Sequence, residues 1–253
     1  MDKIYIFDVD GTLTPSRLPM TKEFQKFFGE WAKTNKFYLV TGSDIAKLQE
    51  QMCMYDIEAE AIFTCCGNEM WIPDPHIVNI SAEQVYHNDF KPPETLLTYL
   101  GFQVKLSDTP VQSTNHREDR GSMLNFSVVG RDCSDEQRED YFQYDLQSKE
   151  REIISGLINE DWVDIEAVIG GQISIDIAPR GNNKSQILYH IITEHPDQKY
   201  FFIGDRTMKG GNDYPLAKIM NDRDNCYVFQ AGKPSDKFGY RHTEKILQNI
   251  LND

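Results

Sequence analysis

The chain has 253 residues and a formal net charge of −14. That length is generous for one core and comfortable for two lobes. The acidic balance argues against nucleic acid, which rewards a basic face, and requires that any phosphorylated substrate be met by a metal ion or by gathered arginines.

No apolar run approaches the roughly 18–20 residues that cross a bilayer, so no membrane partner is expected. The acidic start "MDKIYIFDVD" passes directly into a strand pattern and does not read as a signal peptide, so the expected compartment is the cytoplasm. Cysteine is odd in number (Cys53, Cys65, Cys66, Cys133, Cys226) and lacks zinc-site spacing; the adjacent Cys65 and Cys66 read as a reduced strand end. The six histidines, His76 among them, are scattered and carry no assigned role.

"KIYIFD" (3–8) predicts a strand buried on both faces. Thr21–Asn35 predicts a helix whose Phe24, Phe27, Phe28 and Trp31 form a core stripe. "KFYLV" (36–40) predicts a second strand ending on "TGSD", where Asp44 can cap the helix "IAKLQEQM". "AIFTC" (61–65) is a third strand and "EMWI" a partner strand after a turn. Strand and helix in alternation begin a parallel α/β sheet.

The rhythm breaks near residue 80. "IPDPH" is loop-like and "FKPPETLLTYLGF" predicts a helix opened by prolines. "GSMLNFSVVG" (121–130) and "GGQISIDIA" (170–178) alternate like half-buried strands, with one long helix, capped by Ser134, over 134–157. The α/β rhythm returns with a helix at 183–192, strands "KYFFIG" and "NCYVFQ", and helices from 212 and towards the end. The expected fold is therefore α/β: a Rossmann-like parallel-sheet core, residues 1–81 and 182–253, with an inserted α+β cap, residues 82–181.

Ligands of such sheets bind beyond the carboxyl ends of the strands. Those ends carry Asp8 and Asp10, Thr41 and Ser43, and Asp205. Several oxygen ligands converging on one point suit Mg²⁺. Asp8 can then attack phosphorus as nucleophile, and Asp10, two residues on, can pass a proton to the leaving oxygen. Gly11 and Thr12 are expected to leave bare N–H groups for phosphate oxygens. Lys184 is expected to neutralise Asp8 and the transferring group.

"FDVDGTLT", "TGSD", Lys184 and "IGDRTMKGGND" together resemble the four motifs of the haloacid-dehalogenase superfamily of phosphotransferases, in the branch with a large cap between the second and third motifs. Arg17 and the cap segments "SMLNFSVVGRDCSDEQR" (122–138) and "GGQISIDI" (170–177) resemble the eukaryotic-type phosphomannomutase family over nearly the whole chain. "TGSD" stands where that family usually has Gly-Gly-Ser-Asp, and "RGNNK" (180–184) where it has Asp-Gly-Trp-Asp-Lys.

The resemblance implies a Mg²⁺-dependent enzyme interconverting mannose 6-phosphate and mannose 1-phosphate through an aspartyl phosphate, with a hexose 1,6-bisphosphate as activator, in the supply of GDP-mannose. It makes Asp8 the nucleophile and Asp10 the acid/base. The metal would be held by Asp8, the Asp10 carbonyl and Asp205, with Asn212 and Asp213 nearby. Sugar-phosphate binding would fall to Arg17, Arg120, Arg131, Arg138, Ser174 and Asp176, with Met123 and Asn125 in the same segment and Thr41, Gly42 and Ser43 at the superfamily's phosphate loop. It also implies a homodimer joined through the caps. A sugar-phosphate phosphatase on the same scaffold and a non-catalytic phosphosugar-binding module are the competing readings. A mutase additionally needs a second phosphate gripped away from the metal, for which the arginine fork is suited.

Overall fold

In the computed structural model, residues 2–52, 59–73, 82–233 and 238–252 are described. Cys53, His76 and the loop expected through "IPDPH" beyond Pro73 lie outside them. The chain divides into two compact units: residues 1–87, 183–209 and 213–253, and residues 88–182 with 210–212.

The first unit holds a seven-stranded sheet in the order β11-β10-β1-β2-β3-β4-β5. Its strands are β1 (Lys3–Phe7), β2 (Lys36–Val40), β3 (Ala61–Thr64), β4 (Glu69–Pro73), β5 (Ala82–His87), β10 (Lys199–Gly204) and β11 (Cys226–Gln230). Strands β11, β10, β1, β2 and β3 run parallel, and β4 and β5 are antiparallel additions. Period-two alternation sends β1 side chains into two cores. Tyr5 and Phe7 join Phe24, Phe28 and Trp31 of α1 (Lys22–Ala32), Leu48 and Met52 of α2 (Ile45–Met52), and Leu247 of α8 (Gly239–Asn252). Ile4 and Ile6 join Ile187 and Ile191 of α6 (Gln186–Glu194) and Leu216 and Met220 of α7 (Tyr214–Asn221). With helices on both faces, the central strands are apolar throughout. The aromatic stripe of α1 is core: Phe28 meets Phe7 edge-on at 5.4 Å.

The segment 82–87, expected to open the cap, instead pairs with β4 in this sheet. Its side chains are exposed from Glu83 on, as at a sheet edge, and its adjacent Val85 and Tyr86 give no periodic apolar signal.

The second unit holds a four-stranded sheet in the order β6-β7-β9-β8, built from β6 (Arg117–Asp119), β7 (Leu124–Phe126), β8 (Ile165–Ile169) and β9 (Ile175–Pro179). Leu124, Phe126, Ile165, Ile175 and Ile177 pack on Leu96 and Leu100 of α3 (Glu94–Leu106), Tyr141 of α4 (Asp135–Ser148), and Ile154 and Ile158 of α5 (Glu150–Asp161). The alternating stretch 121–130 yields only a three-residue strand, because Gly121 (φ 76°) and Gly130 (φ 94°) turn the chain on either side. The single helix expected over 134–157 is two. Lys149 is left-handed (φ 58°), and Asp145 accepts the Arg151 amide (2.8 Å) across the break. Ser134 caps α4 in a reciprocal capping box with Gln137.

Candidate active site

The carboxyl ends of β1 and β10 carry the acids of the first unit. Asp8 leaves β1 with its amide donating to the Ile203 carbonyl (3.0 Å), which keeps it beside the next strand. Lys184, just ahead of α6, is wholly buried and places its Nζ 2.6 Å from Asp8 Oδ1 and 2.6 Å from Asp213 Oδ1. Asp213 Oδ2 accepts the Arg206 amide (2.9 Å). The Thr12 hydroxyl donates to Asp8 Oδ2 (3.1 Å). Asp8, Asp205 and Asp213, all buried, each offer an oxygen within 4.8 Å of the others. Gly11 makes that approach possible. Its φ is +79°, and a β-carbon there would lie 2.8 Å from Asp205 Oδ2.

Three buried carboxylates thus stand close together, two of them bridged by the Lys184 ammonium. Burial pushes the Asp8 carboxyl well above the usual range, Asp213 and Asp205 add to that, and Lys184 opposes it. Burial works against the Lys184 charge, yet Asp213 and Asp8 outweigh it and hold the ammonium above its ordinary value. A buried, all-oxygen set of three carboxylates is the hard donor chemistry that fits a divalent cation such as Mg²⁺.

Asp10 has different partners. Its Oδ1 accepts the Arg17 amide (2.6 Å) and the Gln51 side-chain amide (2.9 Å), and its Oδ2 accepts the Ser43 hydroxyl (3.4 Å). Arg17 is left-handed (φ 62°), and its buried Nη1 has no partner among the described residues. Thr41 Oγ1 accepts the Ser43 amide (3.0 Å), closing the turn that contains Gly42, and Asp44 caps α2 through the Lys47 amide (2.8 Å). The bare N–H groups expected at Gly11 and Thr12 are engaged instead, donating to the carbonyls of Thr14 (2.9 Å) and Val9 (3.2 Å). A tight turn satisfies its own donors first. Gln51 was not among the sequence candidates. Its signal is a polar residue within the buried set Leu48, Gln51, Met52 of α2, where the stripe calls for an apolar one.

In the second unit the sheet face opposite the apolar core is polar. Register pairs Glu118 with Asn125 and Asn125 with Asp176 across three strands. Asn125 Nδ2 donates to Asp176 Oδ1 (2.6 Å), and Asn212 Nδ2 donates to Asp176 Oδ2 (3.3 Å). Asn212, expected near the metal, therefore directs its amide to Asp176. Gly170 leaves room for this arrangement: a β-carbon would stand 2.8 Å from Asp176 Oδ2. Buried Ser174 fixes the same loop through its carbonyl, which accepts from the Gly170 amide (3.0 Å).

Arg120 sits in the turn between β6 and β7, its amide donating to the Met123 carbonyl (2.9 Å), and Met123 is fully buried. Both Arg120 and Arg131 pair with Glu118, at 2.8 and 3.0 Å. Arg138 lies in the first turn of α4, its amide donating to the Ser134 carbonyl (2.9 Å). Among the described residues Asn125 Oδ1 is buried without a partner, as an acceptor awaiting a hydroxyl would be.

Comparison with known proteins follows this geometry. A solved haloacid dehalogenase-like hydrolase from Bacteroides thetaiotaomicron superposes with a TM-score of 0.54 at 15% identity, covering 99% of this chain and 100% of that one, and shares the fold. A phosphomannomutase of Encephalitozoon cuniculi is 35% identical over 98% of this chain and 94% of its own length. One of Nicotiana benthamiana is 34% identical over 84% of each. Residues 24–250 match the family described as eukaryotic phosphomannomutase. The chain is an enzyme of the eukaryotic phosphomannomutase family.

Proposed function

We propose that this chain interconverts mannose 6-phosphate and mannose 1-phosphate by way of a phosphorylated Asp8 and a hexose 1,6-bisphosphate. The observation that carries the reading is the buried Asp8–Lys184–Asp213 bridge beside Asp205. It sets a nucleophilic oxygen against a fixed positive charge.

An Asp8 oxygen attacks phosphorus of the bisphosphate and the bond to the sugar oxygen breaks. Asp10 gives that oxygen its proton. In the return step Asp10 takes the proton of a sugar-monophosphate hydroxyl as that oxygen attacks the aspartyl phosphate. Gln51, Ser43 and the Arg17 amide orient Asp10 for both transfers. Lys184 stays charged throughout and offsets negative charge at Asp8. Asp8, Asp205 and Asp213 would hold Mg²⁺ with the Asp10 carbonyl, and the ion would screen the transferring phosphoryl group. Arg120, Arg131 and Arg138 would grip the sugar's second phosphate, with Arg17, Ser174, Asp176 and Asn125 on the remaining polar groups.

Among the described residues no helix is long and apolar enough to cross a membrane, and we place the enzyme in the cytoplasm, feeding GDP-mannose synthesis. Exposed Phe102, Leu106, Leu146, Ile153 and Val163 on or beside the helices of the second unit support self-association through that unit. Light scattering in solution tests this, and a monomer at all concentrations would overturn it.

One assay tests the reaction. Mannose 1-phosphate is supplied with Mg²⁺, with and without a hexose 1,6-bisphosphate, and mannose 6-phosphate and inorganic phosphate are followed separately. Bisphosphate-dependent mannose 6-phosphate is expected, abolished in Asp8→Asn. Inorganic phosphate released without a bisphosphate requirement would make the enzyme a phosphatase instead.

A further inference from the structure

The polar row of the second unit begins at a residue to which no role has been given. Glu118 lies on β6 opposite Asn125, which lies opposite Asp176, so the three side chains share one face of the sheet. Glu118 Oε1 accepts from Arg120 Nε (2.9 Å) and Nη2 (2.8 Å), and Oε2 accepts from Arg131 Nε (3.0 Å). The two arginine side chains are only 5% and 12% exposed.

We propose that Glu118 is a positioning residue for phosphate recognition, holding Arg120 and Arg131 convergent so that both guanidinium groups meet the same anion. This rests on the reading of those arginines as phosphate-binding.

The argument is one of opposed charges. Two guanidinium groups brought to one point repel each other, and the repulsion is strong at this depth of burial. A carboxylate between them turns repulsion into two attractive contacts and fixes the plane of each fork through its Nε edge. The backbone sets the same geometry from outside. Arg131 donates its amide to the Asn115 carbonyl (2.5 Å). The neighbouring Asp132 accepts from the Ser113 hydroxyl (2.6 Å), the Thr114 hydroxyl (2.6 Å) and the Asn115 amide (3.0 Å). Arg120 is fixed by the turn, Arg131 by this clamp, and Glu118 ties the two together.

Removing Glu118 has two possible consequences of opposite sign. The site gains net positive charge, which favours anions. It also loses its orientation, which bidentate recognition requires. The proposal commits to the second effect as the larger.

The test is equilibrium binding of mannose 1-phosphate, by calorimetry, in the Asp8→Asn background where turnover is blocked. Glu118→Ala is expected to raise Kd about tenfold, the loss of about one charge-assisted contact. Glu118→Gln, which keeps an acceptor for one guanidinium, is expected to raise it about threefold. With Asp8 restored, the loss is expected in KM rather than kcat. Unchanged or tighter binding in Glu118→Gln would overturn the proposal.

Should Glu118→Ala fail to fold, a double-mutant cycle between Glu118→Gln and Arg120→Lys decides instead. Coupled effects support positioning through Arg120, and additive effects refute it. Wild-type protein that binds the sugar phosphate in a Glu118-dependent way but shows no mutase turnover would refute the proposed reaction while leaving this inference standing.

Discussion

Gln51 Nε2 donates to Asp10 Oδ1 at 2.9 Å and also stands 3.3 Å from the Thr14 hydroxyl. A side chain at a core position of α2 therefore orients the proposed acid/base. Positioned proton transfer is worth 10²–10⁴-fold in rate, and Gln51→Leu, which keeps the volume but not the donor, is expected to lose about tenfold of it. The check is steady-state kinetics, with the fall in kcat and KM close to wild type.

Asp8, Asp205 and Asp213 crowd one another, and Lys184 bridges Asp8 and Asp213. A divalent cation binding only the folded state should therefore stabilise the protein. At a hundredfold excess over Kd the gain is about 2.7 kcal/mol. Chelated protein is expected to melt lower than protein returned to Mg²⁺, and Asp205→Asn should lose most of that difference. Scanning calorimetry on both proteins reads it directly.

Gly11→Ala is expected to abolish turnover while the chain still folds. The new methyl group would stand 2.8 Å from Asp205 Oδ2, on a backbone with φ +79°. The conformational penalty alone is roughly 1–2 kcal/mol, and relieving the clash must displace Asp205. Reduced Mg²⁺-dependent stabilisation, measured as for Asp205→Asn, would accompany the loss.

The Glu118 carboxyl titrates below its usual range: burial raises it, but the arginines Arg120 and Arg131 outweigh burial. Because the folded value lies below the unfolded one, the contribution to stability is fully present above the ordinary glutamate value and is lost as pH falls through the folded value. The stability gap between wild type and Glu118→Gln should thus be widest near neutrality and close below about pH 4. Urea denaturation across that range provides the comparison.

The parallel core was legible because its strands carry unbroken apolar runs and its helices a stripe, and both signals are local. β2 is found where "KFYLV" predicts it. The edge strand β5 was invisible since its apolar Val85 and Tyr86 are adjacent rather than alternating, and β6, "RED", is charged throughout. The break at Lys149 was hidden because the residue that braces it, Arg151, pairs with Asp145 across the break while its guanidinium donates to the distant Gly171 carbonyl (2.9 Å). Within the site, acids at strand ends announce themselves by spacing. Gln51 and Glu118 do not, because each acts on a partner brought to it by folding.

The polar row Glu118–Asn125–Asp176 has its apolar counterpart one residue away, in Leu124, Phe126, Ile175 and Ile177. A slip of one position in β7 or β9 would exchange the two sets, driving the polar side chain among hydrocarbon and the apolar ones among the buried charged and amide groups of the row. Length changes inside these strands should therefore be tolerated only in pairs of residues. Single insertions and deletions belong in the glycine-bounded turns, where no parity has to be kept.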